Sequence, residues 1–206
     1  MSAIRFFAWV LLGLAIWSGT ASASGPFGIN MGDRLWENPA CRATSSFTYR
    51  CDPLPAAEPL FPSYQAIVIT APAGVGACQI VVHGPVITKK HQHEPGNTFM
   101  DEAAQYLRSR YGDKFTKFDV TPADTEMARP EMWWMSLLGD HRDYRYVWSP
   151  NSGFEPVDHV TSIAMQYAFV DKGPYVLVRY FFDNVDECRK AVDAIKSVEA
   201  SKEGSR

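Results

Sequence analysis

The chain lacks the motifs that mark several classes of enzyme and cofactor-binding protein. Its four cysteines include no C-x-x-C pair, which argues against a thiol–disulfide oxidoreductase. No serine lies in a G-x-S-x-G elbow, the usual position of a hydrolase nucleophile. Residues 73–76 are rich in glycine but lack the third glycine of a phosphate-binding loop. Repeats and low-complexity segments are also missing, so the sequence offers no ready-made catalytic motif.

Long apolar runs are scarce as well. The one prominent run, residues 6–17, follows Arg5 and precedes small residues that end at Ala23, the layout of a signal peptide. It is shorter than the roughly 20 apolar residues that a membrane-spanning helix needs. We therefore expect residues 1–23 to be a signal peptide cleaved after Ala23. The predicted location is the periplasm, with secretion as a further possibility, and no stable membrane insertion is expected after cleavage.

Basic residues are not in excess over acidic ones. The chain has 20 Lys and Arg against 23 Asp and Glu, a net charge of −3 that becomes −4 when Arg5 is removed. Nucleic-acid binding calls for a clustered basic surface, so no nucleic-acid partner is expected. The chain after cleavage is long enough for one domain with its own core, predicted over 24–200. The tail, 201–206, is expected to fray.

Four cysteines remain after cleavage: Cys41, Cys51, Cys78 and Cys188. An even count in an oxidising compartment predicts two disulfides, for which sequence alone allows three pairings. Cys41 and Cys51 are close in sequence, which favours a bridge between them. Cys78, in a predicted strand, is then left to pair with Cys188 on a predicted late helix. The scattered spacing argues against a zinc site, and no cofactor is expected.

The spacing of apolar residues predicts an α+β domain. Residues 33–64 carry five prolines and are predicted to form a loop-rich arm within it. Strands are predicted at 27–30, 66–70, 78–82, 86–88, 143–148, 160–170 and 176–182. Helices are predicted from 97 or 98 to 111, from 130 to 139, and from a cap at Asn184 that pairs with Glu187. This order predicts an antiparallel β-sheet with two or three helices on one face, stapled by disulfides.

Several short motifs resemble those of a known group of exported proteins. The opening P-F-G-I-N-M-G-D after the signal peptide is followed by a G-x-C strand at Cys78 and a helix that ends in Tyr111-Gly112. A Trp-rich segment and a final hairpin plus helix come later. This arrangement resembles an uncharacterised family of small exported proteins of Gram-negative bacteria, with an F-G-I-x-x-G opening. The resemblance implies an exported α+β domain and transfers no catalytic residue.

The histidines of the segment K-K-H-Q-H-E, residues 89–94, are the candidate metal ligands. If the segment is extended, His91 and His93 project to the same side and can share one ion. Glu94 points the other way, and two adjacent lysines repel a cation. Zinc needs at least one more ligand. The remaining candidates for it are His83, His141 and His159. We expect a solvated polar loop here rather than a metal site.

Two adjacent tryptophans are the most informative candidate binding residues. In a helix, neighbouring side chains diverge by about 100°, so Trp133 and Trp134 cannot both point into one buried side. One of them is expected to be partly exposed or covered by a loop, and the functional interpretation is contact with a partner or ligand. Tyr144 and Tyr146 fall on one face of a predicted strand and are assigned to the same binding group.

The leading hypothesis is an exported, non-enzymatic binding protein that acts in the periplasm on a protein or envelope component. Its role would be that of an inhibitor, immunity factor or accessory subunit. The alternative is a hydrolase of cell-wall or polysaccharide material. It would use a pair of carboxylates, which leaves no sequence signature, or a metal site at His91 and His93. No residue is assigned as catalytic, so enzymatic activity stays open with binding favoured.

Overall fold

The computed structural model describes residues 25–52, 54, 64–87, 98–122, 126–170 and 173–203. The predicted signal peptide, most of the proline-rich part of the 33–64 arm, and the segment with His91 and His93 lie outside the described residues. Structural statements below refer to the described residues alone.

Eight antiparallel strands form one sheet in the order β1-β2-β3-β4-β8-β7-β6-β5. The strands are β1 (Cys41–Ala43), β2 (Thr48–Cys51), β3 (Ala66–Thr70), β4 (Gln79–Val86), β5 (Thr116–Val120), β6 (Asp143–Trp148), β7 (Val160–Val170) and β8 (Gly173–Phe182). Three helices accompany the sheet: α1 (Thr98–Tyr111), α2 (Trp133–Leu138) and α3 (Val185–Glu203). The predicted α+β class with an antiparallel sheet is confirmed.

The two faces of the sheet differ in burial because side chains alternate along each strand. In β8, Val176, Val178 and Tyr180 are buried, whereas Arg179 between them is only partly buried and lies on the other side. Residues paired across a ladder share a face, so this assignment extends through the sheet. We call the side that carries Val178 the helix face and the side that carries Arg179 the reverse face.

All three helices pack on the helix face, as predicted. The ring of Tyr111 in α1 lies 6.0 Å from that of Tyr180 in β8. Trp133 of α2 packs on Tyr144 of β6, with ring centroids 5.3 Å apart. The third helix, α3, is joined to the start of β4 by a disulfide from Cys188. None of the described helices is long and apolar enough to cross a membrane.

The helix α1 follows the predicted pattern. Met100, Ala103 and Leu107 are buried on one side of it, at the three-to-four-residue spacing of a helix. Gly112 then takes a positive φ of 82° and donates its N–H to the carbonyl of Arg108, which ends the helix. The indole of Trp148 in β6 donates to the Gly112 carbonyl at 2.9 Å, so the end of α1 is tied to the sheet.

Both predicted disulfides are present. Cys41 and Cys51 are directly opposite each other in the β1–β2 ladder and are bonded. The bond between Cys78 and Cys188 joins residues 110 positions apart and is buried at both ends. In the chain-entropy description, a bridge over the longer loop constrains the unfolded chain more strongly.

The predicted strand at 27–30 is wrong. Residues Pro26–Gly28 form a 3-10 turn, in which Phe27 and Gly28 have φ values of 60° and 72°. Positive φ values are incompatible with an extended strand, and proline restricts the turn further. Phe27 is fully buried and meets the ring of Tyr180 edge-on at 6.1 Å, so this turn contributes to the core.

The arm predicted as loop over 33–64 needs a correction. Its described part contains the hairpin of β1 and β2, and β2 adds this hairpin to the main sheet through β3. Strand β5, with the sequence T-K-F-D-V, was also missed. Strand β5 is polar and largely exposed, so the apolar alternation on which the prediction relied is absent there. In the β1–β2 hairpin only Tyr49 and Cys51 are buried, and a run this short does not show the alternation.

The ends of two other elements differ from expectation. The segment predicted as a separate strand at 86–88 is, in its described part, the end of β4 and the residue that follows it. Asn184 does not form the predicted capping pair: its Oδ1, the atom that would accept a helix N–H, has no donor among the described residues, and its amide nitrogen donates to the Ala77 carbonyl at 3.1 Å. Helix α3 runs to Glu203, past the point where fraying was predicted to begin.

Candidate binding site

The short helix α2 is held in place by hydrogen bonds at Ser136. Pro130 opens the turn before it, since a first turn leaves N–H groups unbonded and proline has none. The fully buried Ser136 donates its hydroxyl to the Trp133 carbonyl at 2.7 Å. The carbonyl of Ser136 accepts the backbone N–H groups of His141 and Arg142 at 2.8 and 3.0 Å. These bonds wrap the next loop around the helix and bring the Arg142 guanidinium to 5.8 Å from the Trp133 ring centroid.

Five aromatic rings, two from α2 and three from β6 and β7, meet where this helix packs on the sheet. Trp133 lies 4.8 Å from Trp134 and 5.3 Å from Tyr144, measured between ring centroids. Tyr167 packs against both tryptophans, at 5.7 and 5.2 Å. Tyr144 and Tyr146 are 5.9 Å apart, and most of these pairs are edge-to-face, a favourable arrangement for aromatic rings. The structure therefore unites the four predicted binding residues and adds Tyr167; we call this group the aromatic cluster.

The aromatic cluster is only partly withdrawn from solvent. Tyr146 and Tyr167 are buried, whereas Trp133, Trp134 and Tyr144 are half-buried. The sequence predicted that one tryptophan is partly exposed or covered by a loop; in the structure both are partly exposed, and each packs against Tyr167. The indole Nε1 of Trp134 is buried and meets no hydrogen-bond acceptor within the described part of the chain.

Two tyrosines of the aromatic cluster, Tyr144 and Tyr146, lie beside a lysine. Nζ of Lys117 lies 5.0 Å from the ring centroid of Tyr144 and 5.4 Å from that of Tyr146. Burial raises the pKa of Tyr144 to about 12, and its hydrogen bond with Tyr146 acts in the same direction. Burial also raises the pKa of Tyr167. The Tyr144 and Tyr167 phenols thus stay protonated at neutral pH and suit packing and hydrogen-bond donation rather than proton abstraction.

A cleft of about 740 Å³ opens beside the aromatic cluster, where β6 and β7 separate. The ladder between these strands ends at the pair Arg145 and Gln166. Strand β7 continues alongside β8 as far as Val170, whereas Asp143 and Tyr144 keep only β5 as a partner among the described strands. We call this opening the β6–β7 cleft, and the loop after α2 forms one of its walls.

Exposed apolar side chains stand at the mouth of the β6–β7 cleft. Leu138 and Val120 line it, and Met135 lies one turn before Leu138 on the same side of α2. Each of the three is more than half exposed. A single exposed leucine is ordinary, but a group of them around a cleft and beside half-buried tryptophans is typical of an interaction surface.

Paired charges surround the apolar mouth. Arg142, which is largely buried, places its Nε 3.2 Å from a carboxylate oxygen of Asp119 and donates to the Thr121 hydroxyl at 2.8 Å. Arg145 binds the carboxylate of Asp143 at 3.1 Å. The two aspartates are thus engaged by arginines, and the rim is polar without a strong net charge. An apolar centre with a polar rim is the usual anatomy of a protein–protein interface.

The histidines do not converge in the described part of the chain. His83 lies in β4, His141 follows α2, and His159 sits in the turn before β7. No group of three His, Cys, Asp or Glu side chains within the described ranges is placed to hold a metal ion. His91 and His93 lie outside those ranges, so the expectation of a solvated loop at that segment stays a prediction.

Sequence reasoning missed three parts of this site: Tyr167, Lys117 and the cleft itself. Tyr167 carried a usable signal, because it alternates with Ile163 and Met165 on the predicted face of β7. Lys117 lies on the strand that was not predicted. The cleft depends on where the β6–β7 ladder stops, and no local pattern in either strand marks that point.

Comparisons with models of protein families, with curated proteins and with solved structures gave no match to this chain. The resemblance to exported Gram-negative proteins with the F-G-I-x-x-G opening therefore stays an expectation from short motifs. Any proposal about function depends on the geometry of the described residues.

Proposed function

We propose that this protein is an exported, non-enzymatic binding protein that recognises a protein in the bacterial periplasm through the β6–β7 cleft. The observation that carries the proposal is the exposed apolar group of Val120, Met135 and Leu138 beside the half-buried Trp133 and Trp134. Placing such side chains in water is unfavourable, and a partner that covers them removes apolar area from solvent, at about 25 cal/mol per Å².

The shape and chemistry of the cleft support a partner with a projecting apolar side chain. Tryptophan and tyrosine dominate the energetics of many interfaces because they offer large, rigid contact areas at low entropic cost. Tyr144 and Tyr167 of the aromatic cluster provide such an area on the cleft wall, and the half-buried tryptophans pack directly against them. The ion pairs of Arg142 and Arg145 would then lie at the rim, where charged groups orient a partner and contribute little affinity.

Export is supported by the cysteines. Two disulfides among the described residues fit an oxidising compartment, where such bonds form and persist. The signal-peptide pattern of residues 1–23 favours the same location. A role as inhibitor, immunity factor or accessory subunit is consistent with a domain that presents one cleft on a rigid, disulfide-stapled sheet.

The hydrolase alternative has no specific observation in its favour. A glycosidase needs one carboxyl group free to act as an acid and another as base or nucleophile. Asp140 lines the cleft, but Asp143, which also lines it, and the nearby Asp119 are each held in an ion pair with an arginine. Stoichiometric zinc in the purified protein, lost on His91→Ala with His93→Ala, would contradict the binding proposal and favour a metal-dependent hydrolase.

Capture from periplasmic extract with matched surface variants tests the proposal. Leu138→Asp places a charge at the cleft mouth, and Val198→Asp makes the same change on α3 at a side chain of equal exposure, 52%. We expect the wild type and Val198→Asp to retain the same partner and Leu138→Asp to lose it. Equal recovery by both variants, with intact folds, would show that the cleft is not the contact surface.

A further inference from the structure

The reverse face of the sheet carries three arginines without ion-pair partners among the described residues: Arg42, Arg50 and Arg179. Arg42 and Arg50 are exposed, and Arg179 is partly exposed. Elsewhere the exposed arginines are commonly compensated within their own segment, as Arg34 is by Glu37 at 3.3 Å. The three arginines therefore form a local region of positive charge on a chain whose net charge is negative. We call them the arginine row.

The strand register places these residues in line. Arg42 and Arg50 are directly opposite partners in the β1–β2 ladder. Val81 pairs with Arg179 on one side and with Val68 on the other, and the β2–β3 register continues this line to Arg50. Neighbouring strands are about 4.8 Å apart, so the row spans roughly 19 Å from β1 to β8, the length of about six residues of extended chain.

The pairing of Arg42 with Arg50 is unfavourable on its own. Like charges directly opposite each other destabilise an antiparallel pair, and no described carboxylate bridges these two. Asp52 lines the same small depression beside them, about 200 Å³ in volume, but forms no ion pair with either arginine among the described residues. An anionic ligand between the two guanidinium groups would remove this repulsion.

A histidine beside the arginine row is affected by its positive charge. His83 of β4 lies on the reverse face and stacks on Tyr175, with ring centroids 5.5 Å apart. Burial lowers the pKa of His83, and the positive charges of Arg179 and Arg50 lower it further. No carboxylate among the described residues offsets this effect, as an acidic neighbour would by favouring the charged imidazolium.

We infer that the arginine row binds an acidic, extended segment of a protein partner. Guanidinium groups match carboxylates in a bidentate geometry, and the length of the row fits a short extended peptide. The side chains between the arginines, Val68 and Val81, are half-buried and do not project as bilayer-inserting groups would. The inference is independent of the β6–β7 cleft, because the arginine row lies on β1, β2 and β8, whereas strand residues of β5, β6 and β7 line the cleft.

Binding of a fluorescent octaglutamate peptide, measured by anisotropy at low ionic strength, tests this inference on the disulfide-bonded protein. The combined change Arg42→Gln, Arg50→Gln and Arg179→Gln should weaken binding at least tenfold. Lysine at the same three positions should restore only part of it, because lysine keeps the charge but not the bidentate geometry of the guanidinium group. Added salt should weaken binding to the wild type, since screening acts on exposed charges.

The matched control removes the same number of positive charges elsewhere. Arg34→Gln, Arg129→Gln and Arg189→Gln alter three exposed arginines that are each paired with an acid three residues away. This control should change affinity by less than twofold. No binding to the wild type, or an equal loss in the control, would overturn the inference. So would binding to anionic lipid vesicles without binding to the peptide, which would identify a membrane-surface patch instead.

Discussion

The helix face and the reverse face of the sheet are built from the same strands but differ in burial and in charge. Along β8, Val178 and Tyr180 are fully buried beneath the helices, whereas Arg179 between them faces the other way without an ion-pair partner among the described residues. A shift of one residue in register would exchange these roles. The alternation of a strand thus assigns one set of residues to stability and leaves the other available for recognition.

The two faces differ less in burial at one place, the end of β6. There the helix face itself is only half covered, because α2 has just six residues and the β6–β7 ladder stops early. Aromatic residues that would otherwise be core, such as Trp133 and Tyr144, remain partly exposed. The two proposed binding surfaces therefore arise in different ways, one from an incomplete core and one from uncompensated charge.

The largest expected loss of stability comes from placing a charge at one buried position, Val178. Val178→Asp places a carboxylate among apolar side chains without a partner, which costs several kcal/mol, a large part of a small domain's stability. We expect no accumulation of soluble protein, while Arg179→Ala accumulates normally. A purified Val178→Asp variant with a native melting temperature would show that Val178 faces the reverse side.

The two disulfides should differ in their contribution to stability. In the chain-entropy description, removing the Cys78–Cys188 bridge with alanines costs about 4 to 5 kcal/mol, against about 3 kcal/mol for the ten-residue loop of Cys41–Cys51. Urea unfolding of the two double-alanine variants measures the difference. Peptide mapping without reductant should link the same pairs, and free thiols in the wild type would contradict the framework.

Substitutions at Trp148 and at its neighbour Val147 measure how much each face of β6 contributes to stability. Trp148→Phe leaves the Gly112 carbonyl without its indole donor and opens space in the core, at a cost of about 2 kcal/mol. Val147→Thr, on the reverse face, should cost under about 1 kcal/mol. Denaturant midpoints give both values, and equal costs would mean that the two faces are alike at this end of the sheet.

Trp134→Ala should separate binding from folding on the helix face. Its ring packs on Tyr167 at the border of the core, so we expect a folded protein with a modest loss of stability. Truncation of an interface tryptophan typically costs 1 kcal/mol or more, so partner affinity should fall roughly tenfold. Titration of the captured partner against the variant measures this, and unchanged affinity would place Trp134 outside the interface.

The smallest expected effect is a pH dependence of the melting temperature, caused by His83 on the reverse face. Because the pKa of His83 is lowered on folding, the unfolded chain binds the proton more readily than the folded protein. The stability that this group contributes is present above the unfolded pKa of about 6.5 and is lost as pH falls through the lowered folded value. Between about pH 7.5 and 5, the wild type should therefore lose more melting temperature than His83→Gln. Parallel curves would contradict the shift.

Much of the fold was predictable from the sequence because the pattern of neighbouring residues indicates it. The alternation of Val176, Val178 and Tyr180 predicts both strand and face, and the stop at Gly112 follows from glycine's tolerance of positive φ. The disulfide pairing was favoured by sequence distance for Cys41 and Cys51, which left a single pairing for the other two. These features depend on neighbouring residues or on simple elimination.

Other elements were unpredictable for an equally physical reason. Strand β5 has one half-buried side chain, Phe118, and is held by backbone bonds to β6 that any sequence can make. Asn184 stands directly before α3, as predicted for a cap, yet its side chain donates to the carbonyl of Ala77, 107 residues away in sequence, and caps no helix N–H. No window of sequence contains both partners of such a contact.

The sequence by itself determined the class of the domain and the faces of its central strands. It did so because alternation and helical spacing act over a few residues, and the hydrophobic effect turns them into buried sides. Only the tertiary structure decided that β6 and β7 separate beside Tyr144, and that Arg42, Arg50 and Arg179 share one row. Those outcomes depend on strand order and register, which are set by long-range packing between distant segments.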